Sequence, residues 1–428
     1  MKILIANYRY FISGGPERYL FNITNALENR GHEVIPFSIK YTKNRPSPYS
    51  NFFVSPLGNE NEVYFKDQRK NLKTIWRTAK RLFYDKEVEV ATRRITSDTK
   101  PDVAYVLHYL RKLSPSLLVG LKRAGLPIVV RVSDYAMLCP QAHCLRDSQP
   151  CELCMGGNLF PSIRYRCIQG NLAASALNVL ATWYHRFRHY FDLIDIFVVT
   201  NLFMYRMMIA AGFPEKHLRC IPTFVDNEVF QSLPTNTRQD VVVFAGRVEF
   251  IKGVHVLVDA IAILAKERPD VGWKFKIAGT GNEEYAHTIH QKVATACLEE
   301  KIDFLGELQA DDLSNLLSHA SLSVIPSMWY ENLPNALLES YACGTPVIAS
   351  SLGSLKEAVS EGESGLLFQP GDAAQLAEKL AYSWDCREKI SEMGLKAQRL
   401  AKTTYSRQQH LNSLTALFSE LIEKQANS

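Results

Sequence analysis

Two fixed cations, Arg247 and Lys252, stand in the run Gly246-Arg247-Val248-Glu249-Phe250-Ile251-Lys252-Gly253, directly after the apolar stretch Val241–Ala245. A guanidinium offers a planar fork and an ammonium a point charge, while flanking glycines let backbone N–H groups approach an anion. That set suits a diphosphate; a solvated turn carrying two surface charges is the competing reading. A second loop, Ala278-Gly279-Thr280-Gly281, ends another apolar run. Its paired glycines serve either a close backbone approach to a ligand or only a tight turn. The third group is Glu331-Asn332-Leu333-Pro334-Asn335-Ala336-Leu337-Leu338-Glu339-Ser340. Pro334 marks a helix start, which puts Glu331 in the loop before the helix and Glu339 inside it. The helix N-terminus favours phosphate, and the two carboxylates can accept hydrogen bonds from sugar and ribose hydroxyls. Ordinary helix-start and helix-surface acids would look the same singly, but they account for neither the proline nor the Arg–Lys loop.

The N-terminal half carries other chemistry. Cys139, Cys144, Cys151, Cys154 and Cys167 crowd together, and Cys151-x-x-Cys154 has metal-ligand spacing. A structural zinc site built from these residues and a set of separate reduced thiols are both open readings. Two stretches, Lys66–Lys86 and Trp183–Phe191, interleave cations with apolar or aromatic residues. Helices of that kind rest on anionic headgroups, or else pack an apolar stripe on the core.

The elements that must position these groups alternate through the chain. β-Rich apolar runs occur at Lys2–Ala6, Glu33–Ile39, Val103–Leu107, Pro127–Val132 and Ile194–Thr200. A second series follows at Val241–Ala245, Trp273–Ala278, Leu322–Ile325, Pro346–Ala349 and Leu366–Phe368. Near-continuous Val/Ile/Leu runs separated by helical segments predict α/β architecture with parallel sheets covered on both faces. In such sheets ligands bind beyond the carboxyl ends of the strands. A chain of 428 residues is too long for one ordinary core. The expected division is an acceptor-side domain at 1–221 with a cysteine-rich insertion at about 139–167, a donor-binding domain at 222–404, and a C-terminal helix at 405–428 packing back on the first domain. The net charge of +5 is too diffuse to argue for nucleic acid. Apolar runs long enough to span a bilayer are absent from the sequence, and the start reads as a first strand, so a cytoplasmic location is expected.

Gly246-Arg247…Lys252-Gly253, Gly279-x-Gly281, and Glu331 followed by Glu339 together resemble glycosyltransferase family 4. Ala342-Cys343-Gly344-Thr345-Pro346-Val347-Ile348-Ala349, the run from Glu361 to Phe368, and Gly14-Gly15 in the first strand–helix loop extend the likeness. It covers nearly the whole chain and is densest from about Val241 to Pro370. The resemblance implies the GT-B fold: two Rossmann-like, doubly wound domains facing a central cleft. It implies a retaining transfer that needs no metal cofactor and uses a nucleoside-diphosphate sugar as donor. By the same resemblance Arg247 and Lys252 neutralise the leaving diphosphate, Glu331 holds the sugar and Glu339 the ribose. Gly279, Gly281, Asn332 and Leu333 belong to the donor site, and Gly14 and Gly15 close over the phosphates from the other domain. Pro101–His108 resembles the strand that ends near a histidine facing the sugar, which makes His108 a catalytic candidate. Arg131–Pro140 matches a segment that commonly has His before Asp-Tyr. Ser133 stands there instead and cannot transfer a proton at neutral pH, which leaves Asp134 as an acceptor contact. Some members carry a similar cysteine-rich insertion, whose role is structural.

The expected activity is sugar transfer to a glycan or lipid-linked acceptor in cell-surface polysaccharide synthesis, at the inner face of an anionic membrane and without nucleic acid. The alternatives are another GT-B nucleotide-sugar enzyme, an epimerase or hydrolase, and a non-catalytic nucleotide-sugar-binding protein.

Overall fold

The computed structural model describes residues 1–59, 61, 72–234 and 237–427, the side chains at 72, 73 and 75 excepted. In the first half, β1 (Lys2–Asn7), β2 (Glu33–Phe37), β3 (Val103–His108) and β4 (Ile128–Arg131) precede a short antiparallel hairpin, β5 (Leu145–Arg146) with β6 (Gln149–Pro150). β7 (Ile196–Val199) and β8 (Leu218–Cys220) complete a six-stranded sheet of order β2-β1-β3-β4-β7-β8, parallel throughout. The second half contributes β9 (Gln239–Ala245), β10 (Lys274–Ala278), β11 (Ile302–Gly306), β12 (Ala320–Ile325), β13 (Val347–Ser350) and β14 (Gly365–Phe368). Their order is β11-β10-β9-β12-β13-β14, again parallel. Helices cover both faces of these sheets, so the central strands are buried on both sides. That burial is why they read as unbroken Val/Ile/Leu runs. The fold is α/β, with two doubly wound domains.

Strand order fixes where ligands can sit. The order reverses between β1 and β3 in the first sheet and between β9 and β12 in the second, opening a crevice at each carboxyl edge. The loop with Gly14-Gly15 follows β1 and His108 ends β3, while the Arg247 loop follows β9 and the Glu331 loop follows β12. All four groups therefore flank a switch point.

The last helix, Arg407–Ala426, returns to the first domain. Leu411, Leu414, Leu417, Phe418 and Leu421 share one core with Ile3, Ile5, Tyr105 and Val129. His410 sits 2.8 Å from the Tyr19 hydroxyl and 2.6 Å from the Pro222 carbonyl, and burial pushes its pKa down to about 4.

Two stretches differ from their sequence reading. Lys66, Asp67, Arg69 and Lys70 of the cationic stretch lie outside the described residues. The remainder forms a helix at Leu72–Phe83 that stops because Asp85 caps the next one, Lys86–Thr99, by accepting the Glu87 amide. Arg81 is buried against Asp85, so it does not belong to an outward cationic face. The other stretch belongs to the helix Leu172–Phe187, which is inverted. Its buried positions include Ser175, Thr182 and His185, whereas Leu172, Leu177, Leu180, Trp183 and Phe187 face outward. Trp183 and Phe187 stack at 5.3 Å. Beyond the helix Tyr190 turns into the core, so the aromatic–basic run divides between surface and interior. Among the described residues no helix is long and apolar enough to cross a membrane.

Candidate active site

Backbone packing accounts for the glycines on the second domain's wall of the cleft. The Gly246 and Val248 amides donate to the Ala278 and Thr280 carbonyls, laying the two loops side by side. A Cβ on Gly279, where φ is +142°, would lie 1.8 Å from the Gly246 carbonyl oxygen, and one on Gly253 equally close to that of Pro326. No side chain is tolerated at either position without moving backbone. The two loops and the Pro326 turn thus form one continuous glycine-lined rim, which is more than an isolated tight turn requires.

Lys252 crosses that rim to Glu331, Nζ to Oε1 at 2.7 Å, and the Ser327 hydroxyl donates to the same oxygen at 2.7 Å. Glu331 is 4% exposed. Burial raises its pKa, but the Lys252 charge and hydrogen bond together with Ser327 outweigh that, so its carboxyl stays below the ordinary value and ionised. Arg247 is exposed and paired with Glu249 at 2.7 Å, free to swing toward an anion. Pro334 precedes the helix Asn335–Ala342, whose first turn has no side-chain cap, so its orphan amides face the cleft. Glu339 lies on that helix, buried, and among the described residues its charged partner is Arg18 at 3.9 Å. Burial pushes its carboxyl up to about 7.

The loop between Glu331 and the helix is also an interdomain clasp. The Asn332 side chain accepts from Thr200 at 2.7 Å and Asn201 at 2.9 Å and donates to the Val132 carbonyl at 2.9 Å, all in the first domain. Leu333 holds a left-handed φ of +58° with its side chain in the core. A non-glycine residue there carries strain of about 1–3 kcal/mol, which the surrounding packing enforces.

On the first domain's wall, Gly15 stands close to Asn335: a Cβ there would lie 3.4 Å from its Nδ2. Gly14, beside Gly15, precedes the helix Gly15–Glu28, and both line the cleft. His108 Nε2 meets Asp134 Oδ2 at 2.9 Å, and the Tyr8 ring packs edge-on against the imidazole. His108 Nδ1 is buried without a partner among the described residues. Burial raises the Asp134 pKa, but His108, the Ala136 amide and Arg111 outweigh it and leave the carboxyl below its ordinary value. Ser133 instead bridges Arg131 and the Leu107 carbonyl, a structural role. One cleft of about 1010 Å³ collects Gly14, Gly15, His108, Arg247, Lys252, Gly279, Gly281, Glu331, Asn332, Leu333 and Glu339.

Sequence reasoning missed Arg18, Asn335, Arg111 and Lys112. Arg18, Arg111 and Lys112 lie in no spaced pattern, whereas Asn335 lies inside the run Glu331–Ser340 without a charge to mark it; the fold brings all four to one cleft. The His108–Asp134 pair was half visible, since both residues were singled out but the pairing of β3 with β4 was needed to join them.

The zinc expectation is corrected. Cys139, Cys151, Cys154 and Cys167 do line one small pocket, with Cys144 hydrogen-bonded to Cys139. Yet among the described residues no three His, Cys, Asp or Glu side chains are grouped to hold a metal ion. Cys144 instead donates its proton to Cys139, whose thiol is lowered to about 6, while burial raises the Cys154 and Cys167 thiols.

Residues 225–400 match the family model described as Glycosyl transferases group 1. Among curated proteins the chain is similar to D-inositol 3-phosphate glycosyltransferase of Pseudarthrobacter chlorophenolicus, 35% identical over 153 residues, or 35% of this chain and 36% of that one. Mannosylfructose-phosphate synthase of Agrobacterium fabrum is 30% identical over 179 residues, 39% of each chain. The matched region thus spans only a little over a third of these relatives' length. Over the full length, the fold is that of a sucrose-phosphate synthase from Thermosynechococcus elongatus, with a TM-score of 0.72, 18% identity and 99% of both chains covered. It is also that of HepE from Anabaena in complex with UDP and glucose, with a TM-score of 0.65, 18% identity, and 98% and 100% of the two chains covered. These are GT-B glycosyltransferase structures, and the fold of this chain is GT-B.

Proposed function

We propose that this chain, which carries a glycosyl transferases group 1 domain over residues 225–400, is a retaining glycosyltransferase of family 4 type. It takes a hexose from a nucleoside-diphosphate sugar and passes it to a glycan or lipid-linked acceptor in cell-surface polysaccharide synthesis. The observation that carries this reading is the convergence of Arg247, Lys252, Glu331 and an uncapped helix start on one interdomain cleft. The similarity to structures holding UDP and glucose adds support.

As the sugar–phosphate bond breaks, negative charge grows on the diphosphate. Lys252, Arg247 and the amides at Asn335 stabilise that charge more in the transition state than in the ground state. Glu331, kept ionised by Lys252, accepts hydrogen bonds from the sugar hydroxyls. Glu339 takes the ribose hydroxyls, and Gly14 and Gly15 admit the phosphates from the opposite wall. His108, oriented by Asp134, meets the sugar from the acceptor side. The same His108–Asp134 pair is what an epimerase or hydrolase would use, so product analysis decides between those readings and transfer. By the family resemblance the transfer needs no metal.

The outward apolar face of the helix Leu172–Phe187 supports a peripheral contact with an anionic bilayer, where a lipid-linked acceptor would be presented.

A thermal-shift screen of nucleoside-diphosphate sugars is expected to find at least one that raises the melting temperature. Lys252→Ala is expected to lose most turnover, roughly 100-fold or more, with folding intact. Proton NMR of the product should show the donor's anomeric configuration preserved. A screen without any stabilising nucleotide sugar, or unchanged turnover in the variant, would refute the assignment.

A further inference from the structure

Lys112 is a lysine placed in the cleft with cations for company. It lies in the turn after β3, beside Arg111, whose φ of +62° is a left-handed conformation that a non-glycine residue adopts only under constraint. Both side chains line the first domain's wall of the cleft, together with His108 and Asp134. The groups acting on the Lys112 ammonium are burial, Arg9 and Arg111, which all drive its pKa down; among the described residues no carboxylate faces it. Arg9 already pairs with Glu17 at 3.7 Å. Among the described residues Arg111 makes two long contacts, 3.3 Å to the Cys139 carbonyl and 3.5 Å to that of Ala136. The acidic groups acting on it are Asp134, which is also engaged by His108 and by the Ala136 amide, and the Cys139 thiol. Lys112 thus sits half-buried beside two guanidiniums with no carboxylate facing it among the described residues, and Arg111 shares Asp134 with His108; a cation so placed is unfavourable until an anion joins it. The diphosphate cations Arg247 and Lys252 belong to the opposite wall, and each already has a carboxylate.

We propose that Arg111 and Lys112 form an oxyanion subsite for the acceptor. The molecule that receives the sugar carries a phosphate or carboxylate seated between these two side chains, with a hydroxyl turned toward the His108–Asp134 pair. Arg111 supplies the planar fork and Lys112 the point charge. This deepens the glycosyl-transfer reading and rests on it.

The test fills the donor site with a saturating nucleoside diphosphate and follows a second ligand by titration calorimetry. The probes are a hexose 6-phosphate, a hexuronate, and farnesyl phosphate in neutral micelles, each against its uncharged counterpart. At least one anionic probe is expected to bind roughly 10-fold or more tightly than that counterpart. Lys112→Gln and Arg111→Gln should each abolish the preference, while Lys112→Arg retains it and nucleotide affinity stays within about twofold. Which probe binds tells a soluble acceptor from a lipid-linked one. Equal binding of charged and uncharged probes, a preference that survives Lys112→Gln, or displacement of the nucleotide by the probe overturns the subsite. Failure of any nucleotide to bind the wild-type protein would instead overturn the transfer reading, and the subsite with it.

Discussion

At the scale of single residues, Lys252 and Glu339 mark two ways to treat a buried charge. Lys252 neutralises Glu331 and keeps it ionised, so that pair is ready at neutral pH. Among the described residues Glu339 has one distant arginine, Arg18, and burial lifts its carboxyl to about 7. A carboxyl raised in this way holds its proton more tightly folded than unfolded. It therefore costs nothing below its ordinary range, and its cost grows as pH rises to about 7 and is complete above that. Glu339→Gln is thus expected to stabilise the ligand-free protein at pH 8 by up to ~3 kcal/mol and to leave it nearly unchanged at pH 4. If the ionised form holds the ribose, nucleotide affinity in the wild type should weaken as pH falls from 8 to 6, and the variant should bind weakly at both. Melting curves and calorimetry across that range check both signs. The residue types and spacing at Arg247, Lys252, Glu331 and Glu339 were legible in the sequence. Their protonation was not, because burial and partners set it.

Elements position these residues through backbone contact and through packing at a distance. The glycine rim is one such device, with Gly279 and Gly253 leaving no room for a Cβ. The C-terminal helix is another. It anchors on the first domain's sheet although the second domain's sheet lies between them in sequence. Phe418 is fully buried and meets the Tyr105 ring edge-on at 5.5 Å. Phe418→Ala is expected to cost about 3–5 kcal/mol, read as a loss of denaturation midpoint in the whole chain. An unchanged midpoint would mean that the helix merely lies on the surface. Most strands were legible as short Val/Ile/Leu runs. β8 and β11 were not, since Leu218–Cys220 is too short and mixed to show a period and Ile302–Gly306 is a half-exposed edge strand with Asp303 inside it. The cationic stretch misled for a different reason: Asp85 acts as an N-cap and breaks it into two helices, and Arg81 turns inward to pair with Asp85.

At the scale of the whole molecule, the inverted helix Leu172–Phe187 stands out because its large apolar side chains gain nothing from folding. Trp183 is 56% and Phe187 63% exposed, and Arg188 beside them is exposed too. Apolar rings with flanking cations are the composition of a helix lying in an anionic bilayer interface. Trp183→Ser with Phe187→Ser is therefore expected to cut sedimentation with anionic-lipid vesicles several-fold while leaving nucleotide binding unchanged. Equal pelleting of variant and wild type would count against the membrane face. The clasp formed by Asn332 with Thr200, Asn201 and Val132 belongs to this scale as well, because it exists only when the two domains meet.

The sequence by itself determined the α/β class, most of the two series of strands and the run of charged residues from Arg247 to Glu339 that the cleft collects, since these depend on local period and on charges close in the chain. Only the tertiary structure decided the rest. Strand order brought His108 beside Asp134, and the meeting of the two domains brought Arg18 across the cleft to Glu339. Folding also gathered Cys139, Cys151, Cys154 and Cys167 around one pocket with no metal-binding group among the described residues, and placed Arg111 and Lys112 on the first domain's wall of the cleft. Those outcomes depend on which strand ends become neighbours and on how deeply each charge is desolvated, and neither is written in any local run of residues.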